Sequence, residues 1–237
     1  MIRTARIFVA GLLIAGALAT AQEVQRHGLV FEEWVRSTFF GGYQPAAYTQ
    51  PWDIPAVANR EHGGVPVNPK ATKYGSPIDL GDALRQWRIE EPFLLVVGFW
   101  QQDGDEKRFV NIVAPRVEPA KWRRLWFPIE LADLEKLDAV IKDRSLTPEQ
   151  ARAAAQKIKR APPFTQAIIQ VNPKIDAHTQ RRLQCSLRFE DVFKQLAPGA
   201  IQAPQERPEL WGVEFPQPIA SKTREFNRAR SDEKKRE

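Results

Sequence analysis

The stretch FLLVVGFW at residues 93–100 constrains the fold more than any other part of the chain. Its apolar run is continuous and has the length of a strand, a pattern typical of a strand that is buried on both faces. A polar turn, QQDGDEK, and a second apolar segment, RFVNIVAP, come next, so the two segments are predicted to form a hairpin. We therefore predict an α/β protein in which helices flank a mixed central β-sheet.

The segment before this strand predicts a helix, two strands and a second helix. HGLVFEEWVRSTFFGGY has apolar residues at helical spacing and a Gly-Gly stop. TQPWDIPAV and GGVPVNPKAT are extended segments whose prolines restrict them to the ends or edges of a sheet. IDLGDALRQW is predicted to be a helix with Asp79 as its N-cap.

The segment after the hairpin predicts an α+β extension. Three helices are expected in EPAKWRRLWF, PIELADLEKLDAVIKD and LTPEQARAAAQKIKRAPP, the last beginning with a capping box between Thr147 and Gln150. Strands are expected in TQAIIQVNP and RRLQCSLRF, and a short helix in EDVFKQLA.

The N-terminus has the pattern of a secretory signal peptide. Arg3 and Arg6 precede an apolar run, and Ala19-Thr20-Ala21 resembles a cleavage site, so residues 1–21 are predicted to be removed and the protein to be periplasmic or secreted. No stable membrane span would then remain. The alternatives are an uncleaved anchor and a misassigned start codon, and the second would leave the protein in the cytoplasm.

Residues 22–220 are predicted to form a single domain, because nothing marks a boundary within them. The single cysteine, Cys185, excludes an internal disulfide framework and any CxxC metal site. The formal net charge is +6, but two charges lie in residues 1–21 and the tail at 221–237 has a basic surplus of three. About +1 is left for the domain, so binding to nucleic acid has to be argued from local clusters. The charged tail is predicted to be disordered.

Three features stand out in the first half of this domain: an acidic first helix, the strand segment WDIP, and a second strand that ends in the tripeptide Asn68-Pro69-Lys70. Together they resemble the core of the PD-(D/E)XK nuclease superfamily, the restriction endonuclease-like fold. The resemblance covers residues 27–115, a catalytic-like core of helix, strand, strand, helix and strand, and leaves 116–220 as the extension.

This resemblance implies a site that hydrolyses phosphodiesters with Mg²⁺, or with Mn²⁺ as a substitute. Asp53 would be the first metal ligand, and Lys70 the ammonium group that assists the attacking water. The family has an acid two residues before the lysine, whereas this chain has Asn68, which offers only a neutral carbonyl oxygen. Asp82 is the preferred replacement acid, because Asp79 is assigned to the helix cap.

The first helix offers one further carboxylate. Helical phase does not separate Glu32 from Glu33 cleanly, and Glu33 is preferred as the residue that faces the site. Each of these residues also has a structural interpretation: Asp53 as part of a turn before Pro55, Lys70 as a solvated strand end, and the acids as exposed helix residues.

The tetrapeptide VNPK returns at residues 171–174, a recurrence that we interpret as coincidence because no longer repeat accompanies it. Amide and guanidinium donors concentrate around this second copy, and they suit phosphates and base edges. The alternative is an edge strand protected by charge. The residues predicted to bind nucleic acid, DNA rather than RNA, are Arg152, Lys159, Lys174, Arg181 and Arg182.

The sequence thus predicts an exported, metal-dependent nuclease. Two alternatives stay open at this point. One is a noncatalytic exported protein that binds nucleic acid on the same fold, and the other is an unrelated envelope protein.

Overall fold

The computed structural model describes residues 27–45, 52–176 and 180–220. The predicted signal peptide at 1–21 and the predicted tail at 221–237 lie outside these residues. The protein is mixed α/β, with a mixed sheet flanked by helices. Within the described residues, no helix has the length and apolar character needed to cross a membrane.

The helices are numbered in chain order. They are α1 (27–39), α2 (Ala83–Trp87), α3 (Pro119–Trp126), α4 (Leu131–Lys142), α5 (Pro148–Lys159) and α6 (Phe189–Asp191). The strands are β1 (Val67–Lys73), β2 (Ile78–Asp82), β3 (Phe93–Asp103), β4 (Glu106–Val113), β5 (Arg116–Val117), β6 (Gln170–Ile175), β7 (Arg181–Leu187), β8 (Glu209–Leu210), β9 (Val213–Glu214) and β10 (Ile219–Ala220).

The largest sheet has the order β1-β3-β4-β10, and β5 also pairs with β3. Strands β1 and β3 are parallel, whereas β3 and β4 form the predicted antiparallel hairpin. A second, antiparallel sheet has the order β2-β7-β6, and β8 pairs with β9. The chain therefore divides its strands among separate sheets, where the sequence predicted one central sheet.

Strand β3 is buried on both faces, as the sequence predicted. Leu95, Val97 and Phe99 pack into one core cluster, with helices α3 to α5 and the second sheet. Leu94 and Val96 pack into another cluster, with α1. The glycine within the strand is required by close packing, because a Cβ on Gly98 would lie 2.5 Å from the rings of Phe31 and Phe109.

Two of the predicted elements are wrong. Residues 78–82 are strand β2 rather than the start of a helix, because Ile78 and Leu80 alternate into the core while β2 pairs with β7. Helix α2 begins only at Ala83. The predicted strand at 49–57 contributes a single bridge in its described part, from Ile54 to Val67, and then turns into a 3-10 helix at Ala56–Ala58.

Candidate functional site

The candidate site lies at the outer edge of β1. Two backbone hydrogen bonds join Ile54 to Val67, at 3.1 and 2.8 Å, and hold the preceding residue, Asp53, beside the start of the strand. Three residues further along β1, the Nζ atom of Lys70 donates a hydrogen bond to Oδ2 of Asp53 at 3.1 Å. Both side chains stay partly exposed, Lys70 at 22% and Asp53 at 39%, so a ligand can reach them.

Helix α1 adds a carboxylate to this pair. Its buried side chains, Phe31, Trp34 and Val35, pack against the sheet, and Glu32 lies at the flank of that apolar face. Burial raises the pKa of Glu32, Lys70 lowers it, and the carboxylate of Asp53 raises it again. Glu32, Asp53 and Lys70 therefore interact electrostatically, and we call these three residues the edge cluster.

The structure places the preferred residue, Glu33, elsewhere. Its side chain is 52% exposed and accepts hydrogen bonds from Nη2 of Arg36 at 2.8 Å and from Nε2 of Gln44 at 3.4 Å. These two bonds lower the pKa of Glu33. No interaction of Glu33 with the edge cluster appears among the described residues, and the geometry favours Glu32 as the carboxylate of α1. Spacing from Arg36 does not separate the two glutamates, because Arg36 lies four residues after Glu32 and three after Glu33 and pairs with both.

Asn68 is only 4% exposed, and it lies across from Asp53 because Ile54 pairs with Val67.

Asp82, in contrast, is the N-cap of α2, where its Oδ1 accepts a hydrogen bond from the backbone N–H of Arg85 at 2.8 Å. The capping role assigned to Asp79 was wrong: Oδ1 of that residue bonds the backbone N–H of Gly81 within β2. Asp82 also lines an open pocket of about 540 Å³, together with Trp52.

The edge cluster and Asn68 offer oxygen donors of the kind that Mg²⁺ prefers. Within the described residues, no group of three or more His, Cys, Asp or Glu side chains is arranged to hold a metal. Mg²⁺, however, is commonly held by one or two carboxylates and keeps several waters. Glu32 and Asp53 supply two carboxylates, and the carbonyl oxygen of Asn68 is a third hard donor. Two carboxylates and a neutral amide oxygen are donors of the kind that Mg²⁺ takes when it keeps several waters.

Three of the five predicted nucleic-acid contacts are engaged within the protein. Arg152 donates to the carbonyl oxygen of Ile175 at 3.1 Å, and Lys159 donates to Oδ1 of Asn172 at 3.2 Å. Arg181 donates to three backbone carbonyls in the last turn of α4 and the loop after it, at 2.9 to 3.1 Å, namely those of Ile141, Asp143 and Leu146. These bonds fasten α5 and the α4–α5 loop to the β6–β7 hairpin.

The other two predicted contacts are exposed neighbours. Lys174 and Arg182 are directly opposite one another in the antiparallel pair of β6 and β7. Like charges in that arrangement repel, and a bound anion would relieve the repulsion. Lys159 lies close by, since burial and the charge of Lys174 both lower its pKa. Lys174 and Arg182 form the basic hairpin patch, and Lys159 of α5 lies beside it.

Arg181→Ala and Arg182→Ala are a matched pair on one strand. Arg181→Ala is expected to lower the free energy of unfolding by about 2–4 kcal/mol, because three backbone carbonyls lose a charged donor and two of these hydrogen bonds are partly buried. Arg182→Ala is expected to change it by less than about 0.5 kcal/mol, since that side chain is exposed. Urea denaturation measures both values. Equal losses for the two variants would contradict the structural role of Arg181.

Comparison of the chain with family models, with curated proteins and with solved structures found no match. Function is therefore inferred from the side chains and their geometry.

Proposed function

We propose that this protein is a metal-dependent nuclease that hydrolyses phosphodiester bonds at the edge cluster. The observation that carries the proposal is the 3.1 Å contact between Lys70 and Asp53, with the pKa of Glu32 perturbed beside it. A lysine and two carboxylates at an open sheet edge are the groups that such a reaction needs. The parallel pair of β1 and β3, with α1 packed on it, supports a restriction endonuclease-like core.

In this proposal Glu32 and Asp53, with the carbonyl oxygen of Asn68, would hold Mg²⁺ or Mn²⁺. The ion would neutralise charge on the scissile phosphate and make the attacking water more acidic. Because burial raises the pKa of Glu32, protonation of this side chain would compete with metal binding. Asn68 in place of an acid leaves the site one negative charge short of the family pattern.

Lys70 supplies the fixed positive charge. A water oxygen forms the new bond to phosphorus and gives up one proton to solvent, the bond from phosphorus to one ester oxygen breaks, and the leaving oxygen takes up one proton from solvent. Negative charge builds on the phosphate oxygens during this step. The ammonium group of Lys70, positioned in advance by Asp53, offsets that charge without having to reorganise.

The basic hairpin patch is proposed to contact the backbone of the polymer. Its groups carry charge but no fixed hydrogen-bond pattern for bases, which suits phosphates and gives no sequence preference. DNA is the preferred substrate over RNA in this proposal. The signal-like pattern of residues 1–21 supports export to the periplasm or the medium, where such an enzyme would degrade or process nucleic acid.

One observation favours a second function, noncatalytic binding of nucleic acid. Lys70 is already paired with Asp53, and Asn68 cannot supply the second acid of the family. A protein with these features binds the polymer through its charges but holds the metal too weakly to cut.

Incubation of the purified chain with end-labelled DNA and RNA tests the proposal. We expect cleavage in the presence of Mg²⁺ or Mn²⁺ and none in EDTA. Binding without cleavage in any divalent ion would support the noncatalytic function. Neither binding nor cleavage would contradict both.

A further inference from the structure

Trp211 occupies an unusual backbone position. It forms, with Gly212, the two-residue turn between β8 and β9, and both residues have positive φ, 49° and 80°. Among the described residues, Trp211 is the one non-glycine residue with positive φ. A left-handed conformation strains most residues that have a Cβ. Gly, or Asn with its short polar side chain, is the usual choice in such a turn. Strain of this kind, held in place by its surroundings, is more frequent at functional sites.

The indole ring is held in place by aromatic neighbours. It stacks on the imidazole of His62, with ring centroids 3.7 Å apart and planes 11° from parallel. Phe39, at the end of α1, and Phe40 contact the indole edge-on, at 4.9 and 6.1 Å. Nevertheless, 37% of Trp211 is exposed. We call these four residues the aromatic platform.

Hydrogen bonds hold the loop that carries His62 of the aromatic platform. The side chain of the buried residue Asn59 donates to the carbonyl oxygens of His62, at 3.1 Å, and of Val65, at 2.7 Å. It also accepts from the backbone N–H of His62 at 3.0 Å. The loop that presents His62 is thereby fixed, so an incoming ring would meet a surface that needs little ordering.

The platform is connected to the edge cluster through two elements. Phe39 lies seven residues after Glu32 on the same helix, which is about 10 Å along the helix axis. His62 lies on the segment that leads from Asp53 to Lys70. Arg36 lies between Glu32 and Phe39 on α1 and pairs with the carboxylates of Glu32 and Glu33. A separation of about 10 Å corresponds to about three stacked nucleotides.

We propose that the aromatic platform stacks an unpaired base of the nucleic acid whose backbone enters the edge cluster. The inference rests on the proposed nuclease function and adds a substrate class to it, single-stranded or frayed nucleic acid. A base inside a duplex has both faces covered by its neighbours, whereas an unpaired base offers a free π-face to Trp211. Stacking of this type tolerates any base, which matches the absence of a fixed hydrogen-bond pattern in the basic hairpin patch.

Binding of two single-stranded oligonucleotides in EDTA separates this inference from catalysis. The first is an ordinary oligonucleotide, and the second is an abasic chain of equal length with the same phosphates and no base rings. We expect wild-type protein to bind the ordinary chain about tenfold more tightly, the scale of stacking one base. Fluorescence anisotropy gives both affinities. Equal affinities, or no binding of either chain, would overturn the inference, whatever the cleavage assay shows.

Trp211→Asn is the variant that tests the residue itself. Asn tolerates a left-handed turn, so the hairpin is expected to fold while the ring is lost. Affinity for the ordinary oligonucleotide is expected to fall about tenfold, and affinity for the abasic chain to stay unchanged. Val213→Asn, an exposed position on the same hairpin, is the matched control and is expected to keep wild-type affinity. Unchanged affinity in a folded Trp211→Asn protein would overturn the inference. Should that variant fail to fold, the wild-type comparison decides.

Discussion

We expect the Lys70→Ala variant to cleave nucleic acid about a hundredfold more slowly than the wild-type protein at saturating metal. Removal of one preorganised electrostatic donor from an active site has an effect of about this size on the rate. Polymer affinity is expected to change far less, because one charge among several phosphate contacts is lost. Single-turnover cleavage together with anisotropy measures the two quantities separately.

Two other lysines are controls for this variant. Lys73 is exposed at the end of the same strand, and Lys174 occupies the corresponding position in the second VNPK. Lys73→Ala is expected to leave both rate and affinity nearly unchanged. Lys174→Ala is expected to weaken polymer binding and to make that binding less dependent on salt. The cleavage rate of bound substrate is expected to stay unchanged. A loss of rate equal to that of Lys70→Ala in either control would show that Lys70 acts only through general charge.

Glu32→Gln and Glu33→Gln are expected to differ strongly, although the two residues are adjacent. Removal of a group that only orients a metal ligand typically lowers metal affinity or activity by about 10–100-fold. Glu32→Gln removes a proposed ligand itself, so it is expected to reduce the cleavage rate by at least about a hundredfold. Glu33→Gln is expected to stay within about twofold of wild type, since its carboxylate faces solvent and Arg36. Cleavage rates over a range of Mg²⁺ concentrations make the comparison.

The raised pKa of Glu32 gives this pair of variants a pH signature. As pH falls through that pKa, the carboxylate takes up a proton and the metal loses a ligand. At Mg²⁺ concentrations below saturation, where the metal-free site governs binding, wild-type activity is therefore expected to begin falling at a higher pH than an ordinary glutamate would cause, and the Glu33→Gln profile should match it. Similar cleavage rates and pH profiles for Glu32→Gln and Glu33→Gln would show that Glu32 is not a metal ligand.

Elements set by local sequence were predicted correctly. Strand β3 and its hairpin follow from an unbroken apolar run and a two-residue turn. The start of α5 follows from the capping box, in which Thr147 and Gln150 exchange hydrogen bonds at 2.9 and 3.3 Å. Such signals need only a few neighbouring residues, so tertiary structure rarely changes them.

Features that depend on distant partners were predicted less well. Residues 78–82 carry a helix-like pattern, but pairing with β7, about a hundred residues later, makes them a strand. The choice between Glu32 and Glu33 depends on which side of α1 packs against the sheet, and Arg181 finds its carbonyls only once α4 and α5 are in place. The stack of His62 on Trp211 joins residues far apart in the chain, and no local pattern indicates it.

Cleavage by an Asp53→Ala protein, purified in the same way as the wild-type protein, tests the central claim most directly. Asp53 is both a proposed metal ligand and the partner that positions Lys70, so its loss is expected to abolish Mg²⁺-dependent cleavage. Contaminating nuclease would be shared by both preparations and is thereby controlled. We predict no cleavage above background, with binding of labelled DNA within about twofold of wild type, since the proposed polymer contacts are untouched. Cleavage at the wild-type rate would contradict the assignment of the edge cluster as the catalytic site.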